Sequence, residues 1–166
     1  MRQLLASLVL GLAACSLGGA TVLTQGAGHE WTSPGGDAGK THHSQLTAIN
    51  AGNVDDLGLA WAADLDTFRG QEATPVVVDG VLYTSGTAGR AYAFDAASGK
   101  PLWRFEPEVD MQVNRTVCCD MVNRGVAVAR GKVFVASLDG WIYALDARTG
   151  AVVWKSDFIE NRAKGD

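Results

Sequence analysis

Shifting the chain by 51 residues lays residues 75–105 onto residues 126–156 without a gap. The coincidences are Val77/Val128, Gly80/Gly131, Gly89/Gly140, Tyr92/Tyr143, Ala93/Ala144, Asp95/Asp146, Ala96/Ala147, Gly99/Gly150 and Trp103/Trp154. Between them, Leu82/Val133, Tyr83/Phe134 and Phe94/Leu145 keep apolar character. A unit this short cannot bury its own apolar residues, so neighbouring copies have to stack and share a core. That requirement excludes most folds built around a single closed core.

Each copy reads as four short strands, in the first at 75–78, 81–85, 91–95 and 101–105. Asp79-Gly80 supplies a hairpin dipeptide and Ser98-Gly99 closes the third hairpin. Arg130-Gly131 and Thr149-Gly150 repeat them, and Asp139-Gly140 marks the middle turn of the second copy. Four antiparallel strands recurring at this spacing predict the blades of a β-propeller, an all-β architecture. The 20 Gly against 4 Pro, spread along the chain, fit many turns rather than a disordered linker. Best kept is an eleven-residue segment, 93–103 and again 144–154, with the pattern Ala-x-Asp, three residues, Gly, three residues, Trp. Asp and Ser or Thr can satisfy the turn backbone, Gly permits a positive φ, and Trp on the outer strand can pack between blades.

Ahead of the repeats, Met1-Arg2 is followed by an apolar stretch over 4–14, too short to span a membrane but the right length for an export signal. Residues 1–20 are therefore read as that signal and 21–166 as an incomplete propeller. Within the signal, Leu12-Ala13-Ala14-Cys15 resembles a bacterial lipoprotein signal, which would lipidate Cys15 and attach the protein to a membrane. Cleavage after a small residue such as Ala20 is the other reading, and both place the protein in the periplasm. The formal net charge of −4 and the lack of a basic cluster exclude nucleic acid as an expected partner.

With Cys15 accounted for, the remaining cysteines are neighbours, Cys118 and Cys119. Consecutive Cα atoms lie about 3.8 Å apart, below the usual disulfide window, so a bond between them closes a small strained ring, a stiff plate suited to stacking on a planar ligand. Two buried thiols acting as small hydrophobes are the alternative. An oxidising compartment favours the bond. The 51-residue shift also carries Glu72 onto Asn123, beside Arg124, so both precede the first strand of their blade. First strands line a propeller's axis, which predicts that Glu72, Cys118, Cys119 and Arg124 converge at one mouth of the channel.

The eleven-residue segment resembles the tryptophan-docking motif of the quinoprotein alcohol dehydrogenases, eight-bladed propellers that carry pyrroloquinoline quinone. The run Cys118-Cys119-Asp120-Met121-Val122-Asn123-Arg124-Gly125 is similar to that family's cofactor-site signature. Further resemblance lies in Thr41-His42-His43-Ser44-Gln45-Leu46, in residues 53–61 and in Arg69-Gly70-Gln71-Glu72-Ala73-Thr74-Pro75. Ala151, Ser98 and His42-His43 depart from the family's frequent Lys, Thr and Arg-Tyr, and none touches the cofactor positions.

The resemblance implies an enzyme that oxidises alcohols to aldehydes by hydride transfer to the quinone. It implies that Arg124 donates hydrogen bonds to the quinone oxygens, that Glu72 bonds the cofactor's periphery, and that Cys118 and Cys119 form a vicinal disulfide against one ring face. The family's catalytic aspartate, its calcium (or lanthanide) ligands and, where present, a haem c domain come later in the sequence, with cytochrome c or a quinone as electron acceptor. No catalytic or metal-ligating residue is therefore expected within this stretch. The chain is expected to be an N-terminal fragment of about two blades plus a leading segment, inactive alone. His42 and His43 are expected at the surface. An alternative is an exported propeller lipoprotein that scaffolds outer-membrane protein assembly, which would suit Cys15 but has no evident need for adjacent cysteines.

Overall fold

A computed structural model of the chain describes residues 30–115 and 117–159. The expected export signal at 1–20 and Cys15 lie outside the described residues. Among the described residues, eight strands form two antiparallel sheets, each a meander of four. The first holds β1 (Val76–Val78), β2 (Val81–Ser85), β3 (Ala91–Asp95) and β4 (Pro101–Phe105). The second holds β5 (Ala127–Ala129), β6 (Lys132–Ala136), β7 (Trp141–Asp146) and β8 (Val152–Asp157). These are the two expected blades. Strand β1 begins at Val76 rather than Pro75, as suits a residue with no N–H to give to a ladder.

The first hairpin of each blade turns on two residues with positive φ, Asp79 (51°) and Gly80 (74°), then Arg130 (51°) and Gly131 (69°). That backbone matches the twist of the strands it joins. Arg130 adopts it without a favourable side chain, so the sheet register imposes the turn. At the third hairpin the Asp95 carboxylate accepts the Ser98 amide at 2.8 Å and the Ser98 hydroxyl at 2.6 Å. Asp146 does the same with the Thr149 amide at 2.9 Å and hydroxyl at 2.8 Å. Gly99 and Gly150 follow, both at φ 72°.

Those glycines also receive a tryptophan from the preceding unit. A Cβ on Gly150 would lie 2.7 Å from the Trp103 ring, and one on Gly99 would lie 2.5 Å from the Trp61 ring. Trp103 Nε1 donates to the Ala147 carbonyl at 2.8 Å, and Trp61 Nε1 to the Ala96 carbonyl at 3.1 Å. The Tyr83 hydroxyl adds a second donor to Ala147 at 3.2 Å. Sequence pattern did not show how the indole is aimed. In both blades the register shifts by one residue, pairing Ala93 with Trp103 but Phe94 with Pro101, and Ala144 with Trp154 but Leu145 with Val152. The extra residues, Leu102 and Val153, are bulges that re-aim the strand so that the ring leaves the sheet edge.

Between the blades lies one apolar cluster. Val76, Tyr83, Ala91 and Ala93 enter it from the first unit, and Val126, Val133, Val135, Tyr143 and Leu145 from the second. Burying each larger side chain is worth about 1.5–3 kcal/mol, against about 1 kcal/mol for each indole hydrogen bond. The shared core therefore drives stacking, and the clasp sets its geometry. Trp154, by contrast, is 43% exposed, with Val152 and Val153 each at 50%.

Trp103→Ala is expected to lower stability by about 3 kcal/mol, by loss of packing and a hydrogen bond. Trp154→Ala should cost clearly less. Urea unfolding of the two variants followed by circular dichroism checks the difference, and equal losses would refute the clasp. The turn carboxylates make a second expectation. Hydrogen bonds from the Ser98 side chain to Asp95, and from the Thr149 side chain to Asp146, hold both carboxyls below the ordinary value of 3.8. A depressed folded pKa contributes stability that is present above the unfolded value and lost as pH falls through the folded one. Unfolding midpoints should drop below about pH 4, and Asp95→Asn with Asp146→Asn should flatten that drop.

Candidate functional site

Each first strand is entered through a polar lead, 69–75 ahead of β1 and 120–126 ahead of β5, and stacking the blades lays these leads side by side. A Cβ on Gly125, at φ 131°, would come within 3.2 Å of the Thr74 carbonyl oxygen, and one on Gly70 would reach Val122 at 4.0 Å. Across this seam the Arg124 guanidinium meets Glu72, with Nη2 3.0 Å from Oε2. Their side chains are 74% and 44% exposed. An ion pair so open to water adds little to folding. The planar guanidinium carries five N–H donors, so most of them remain for another acceptor.

Cys118 and Cys119 are both exposed, which overturns the reading of two buried thiols. In this structure they are thiols in contact, Cys119 donating to Cys118 with 2.8 Å between sulfurs. That hydrogen bond, and then the charge of Cys118, raise the Cys119 thiol above its ordinary range; Arg124 pulls it back down and Glu72 pushes it up. The cysteine pair thus lies within the electrostatic reach of both charges. Glu72 and Arg124 do meet, although 52 positions separate them, and Cys119 lies within the electrostatic reach of both.

Several supports of this loop escaped the sequence reading. Cys119 and Asp120 sit one after the other in the left-handed region, at φ 67° and 65°, where each non-glycine residue costs roughly 1–2 kcal/mol. Such a conformation persists only when its surroundings hold it. Asp120 is ion-paired to Arg69 of the other lead. The next residue, Met121, is buried at 1% exposure, and its carbonyl accepts the Ala88 amide at 2.8 Å. Asn123 donates to the Ala136 carbonyl at 2.8 Å and accepts the Gly125 amide at 3.1 Å. A signal for the ion pair did exist: Arg69 and Asp120 are 51 positions apart, equivalent residues of the two repeats.

His42 and His43 lie at the surface, as expected. Among the described residues, no group of three or more His, Cys, Asp or Glu side chains is arranged to hold a metal ion.

Residues 31–161 match the family model described as PQQ, glucose/ethanol/alcohol dehydrogenase, beta-propeller domain. The chain is 54% identical over 131 residues to the quinohemoprotein alcohol dehydrogenase ADH IIB of Pseudomonas putida, covering 79% of this chain and 19% of that protein. It is 50% identical over 133 residues to the 1-butanol dehydrogenase (cytochrome c) of Thauera butanivorans, covering 80% and 19%. Among solved structures, the quinohemoprotein alcohol dehydrogenase of Comamonas testosteroni superposes with a TM-score of 0.76 at 46% identity, over 80% of this chain and 20% of that one. The chain spans about a fifth of the length of these relatives. With the repeat, the indole clasps and the matched residues agreeing, the chain belongs to the PQQ-dependent glucose/ethanol/alcohol dehydrogenase family, as part of its β-propeller domain.

Proposed function

We propose that the chain supplies one side of the cofactor site of a periplasmic quinoprotein that oxidises alcohols to aldehydes. The observation that carries this reading is the meeting of Glu72 and Arg124 on the seam between two blades, with Cys119 within the electrostatic reach of both. Their chemistry fits pyrroloquinoline quinone, a planar anion with carboxylates and a quinone carbonyl. Bound there, the quinone supplies the two-electron acceptor for the alcohol. Arg124 offers a permanent charge and a fork of donors for the quinone oxygens, where negative charge develops during reduction. Glu72 orients that fork from the opposite lead and presents an acceptor of its own. Cys118 and Cys119, joined as a disulfide, present a rigid plate with no rotamer to freeze when a flat ring is laid on it.

Other parts of the propeller would supply the ligands of a calcium (or lanthanide) ion and a catalytic aspartate, and cytochrome c or a quinone would accept the electrons. Relatives named as a cytochrome c-linked butanol dehydrogenase and as quinohemoproteins support a haem-linked route. Export by residues 1–20 belongs to the same reading, with Cys15 as the lipid attachment point if the lipoprotein cleavage is used.

A chimera tests this: residues 31–159 replace the matching segment of the Comamonas testosteroni enzyme. It should reduce an artificial dye with a primary alcohol only when pyrroloquinoline quinone and calcium are added. Arg124→Ala in that chimera should lower kcat about a hundredfold, the typical effect of losing one preorganised donor, with its unfolding midpoint unchanged. A folded chimera that neither binds the quinone nor turns over would falsify the proposal. In protein exported to the periplasm, Cys118 and Cys119 should take up two alkyl groups only after reduction. Uptake of both without reduction sinks the disulfide.

A further inference from the structure

Two ion pairs of opposite sense stitch the leads together: Arg69 of the first lead to Asp120 of the second, and Glu72 of the first to Arg124 of the second. The second pair belongs to the site described above. The first sits directly behind the cysteines, since Asp120 follows Cys119. We propose that Arg69 is a positioning residue for the Cys118–Cys119 pair, acting through Asp120 to hold the two sulfurs together and beside Glu72 and Arg124. The inference rests on the reading of that pair as one wall of the cofactor site.

Three observations carry it. Cys119 and Asp120 both adopt left-handed backbone, a conformation that side-chain-bearing residues relax out of unless tethered. Beyond them the chain is already anchored, because Met121 is buried and its carbonyl is bonded to Ala88. With that end fixed, the side-chain tether on the left-handed pair is Asp120 to Arg69. Arg69 also lies three residues before Glu72 in one short lead, so a single segment carries both the tether and the carboxylate. Releasing Arg69 therefore frees the cysteines from the lead that places Glu72. The side chains are 45% and 38% exposed, so global folding depends little on this pair. Its influence is local.

The test reads the cysteines themselves. The full chain is equilibrated with oxidised and reduced glutathione, in which the two thiols give up two electrons and two protons, one S–S bond forms, and one oxidised glutathione becomes two thiols. Acid quenching, alkylation and trypsin release peptide 116–124, or 116–120 where Asp120 is replaced by Arg, which carries both cysteines and is free of Cys15. Arg69→Ala and Asp120→Ala should each lower the equilibrium constant for the disulfide about fivefold, and the double variant should fall no further, as coupled partners do. The charge-swapped chain, Arg69→Asp with Asp120→Arg, should recover most of the loss. Arg104→Ala, which removes a different exposed ion-pairing arginine, should change nothing, and circular dichroism should show the same fold throughout. An Arg69→Ala chain within twofold of the unmodified one, or losses that add in the double variant, overturns the proposal. Absence of quinone binding by the unmodified chimera, with the Arg69 effect on the disulfide intact, overturns the functional reading and leaves the positioning role standing.

Discussion

The contact between Trp103 and the Ala147–Gly150 turn sets the stacking of the two blades. An indole can lie flat against the next blade only where the backbone has no Cβ, and it can donate only where a carbonyl is left open. Gly150 and Ala147 meet both conditions. Trp61 repeats the arrangement on Gly99 and Ala96. Because each clasp fixes how one unit lies on the next, the shared apolar cluster forms between them and the two polar leads are brought side by side. Glu72 and Arg124 meet because the indole clasps lock one blade on the next.

Chemistry and stability are kept apart in this arrangement. The residues that hold the blades, from Val76 to Leu145 in the interblade cluster, are apolar and buried. The charges at the leads stay open to water, where ion pairs contribute little to folding. A guanidinium left exposed remains available to a ligand, and its charge is not spent on an interior partner. The loop behind it departs from this rule in one respect. Its left-handed pair, Cys119 and Asp120, stores local strain that the Arg69 ion pair and the Met121 anchor must hold.

Much of the fold was legible from the repeat. Strand positions, the positive-φ hairpins at Gly80 and Gly131, and the paired Asp95 and Asp146 turns follow from local rules of backbone conformation and side-chain bonding. The bulges at Leu102 and Val153 were not legible. They arise from the need to aim a ring at a neighbouring blade, which leaves no mark on the strand that carries it. For the site, the meeting of Glu72 and Arg124 could be anticipated from the shared offset. The exposure of the cysteines could not, because free Cys is among the most buried residue types and only its tertiary surroundings reverse that tendency.

What the sequence determined by itself was the unit: four short strands, their turns, and a tryptophan at a fixed distance from a glycine. Those features depend on residues close in the chain, where propensity and spacing suffice. Only the tertiary structure decided which groups touch across units, namely Trp103 on Gly150, Arg69 with Asp120, and Arg124 with Glu72. These contacts join residues about fifty positions apart, and their geometry depends on how one sheet packs on the next. Packing is a property of two surfaces together, and neither repeat contains it alone.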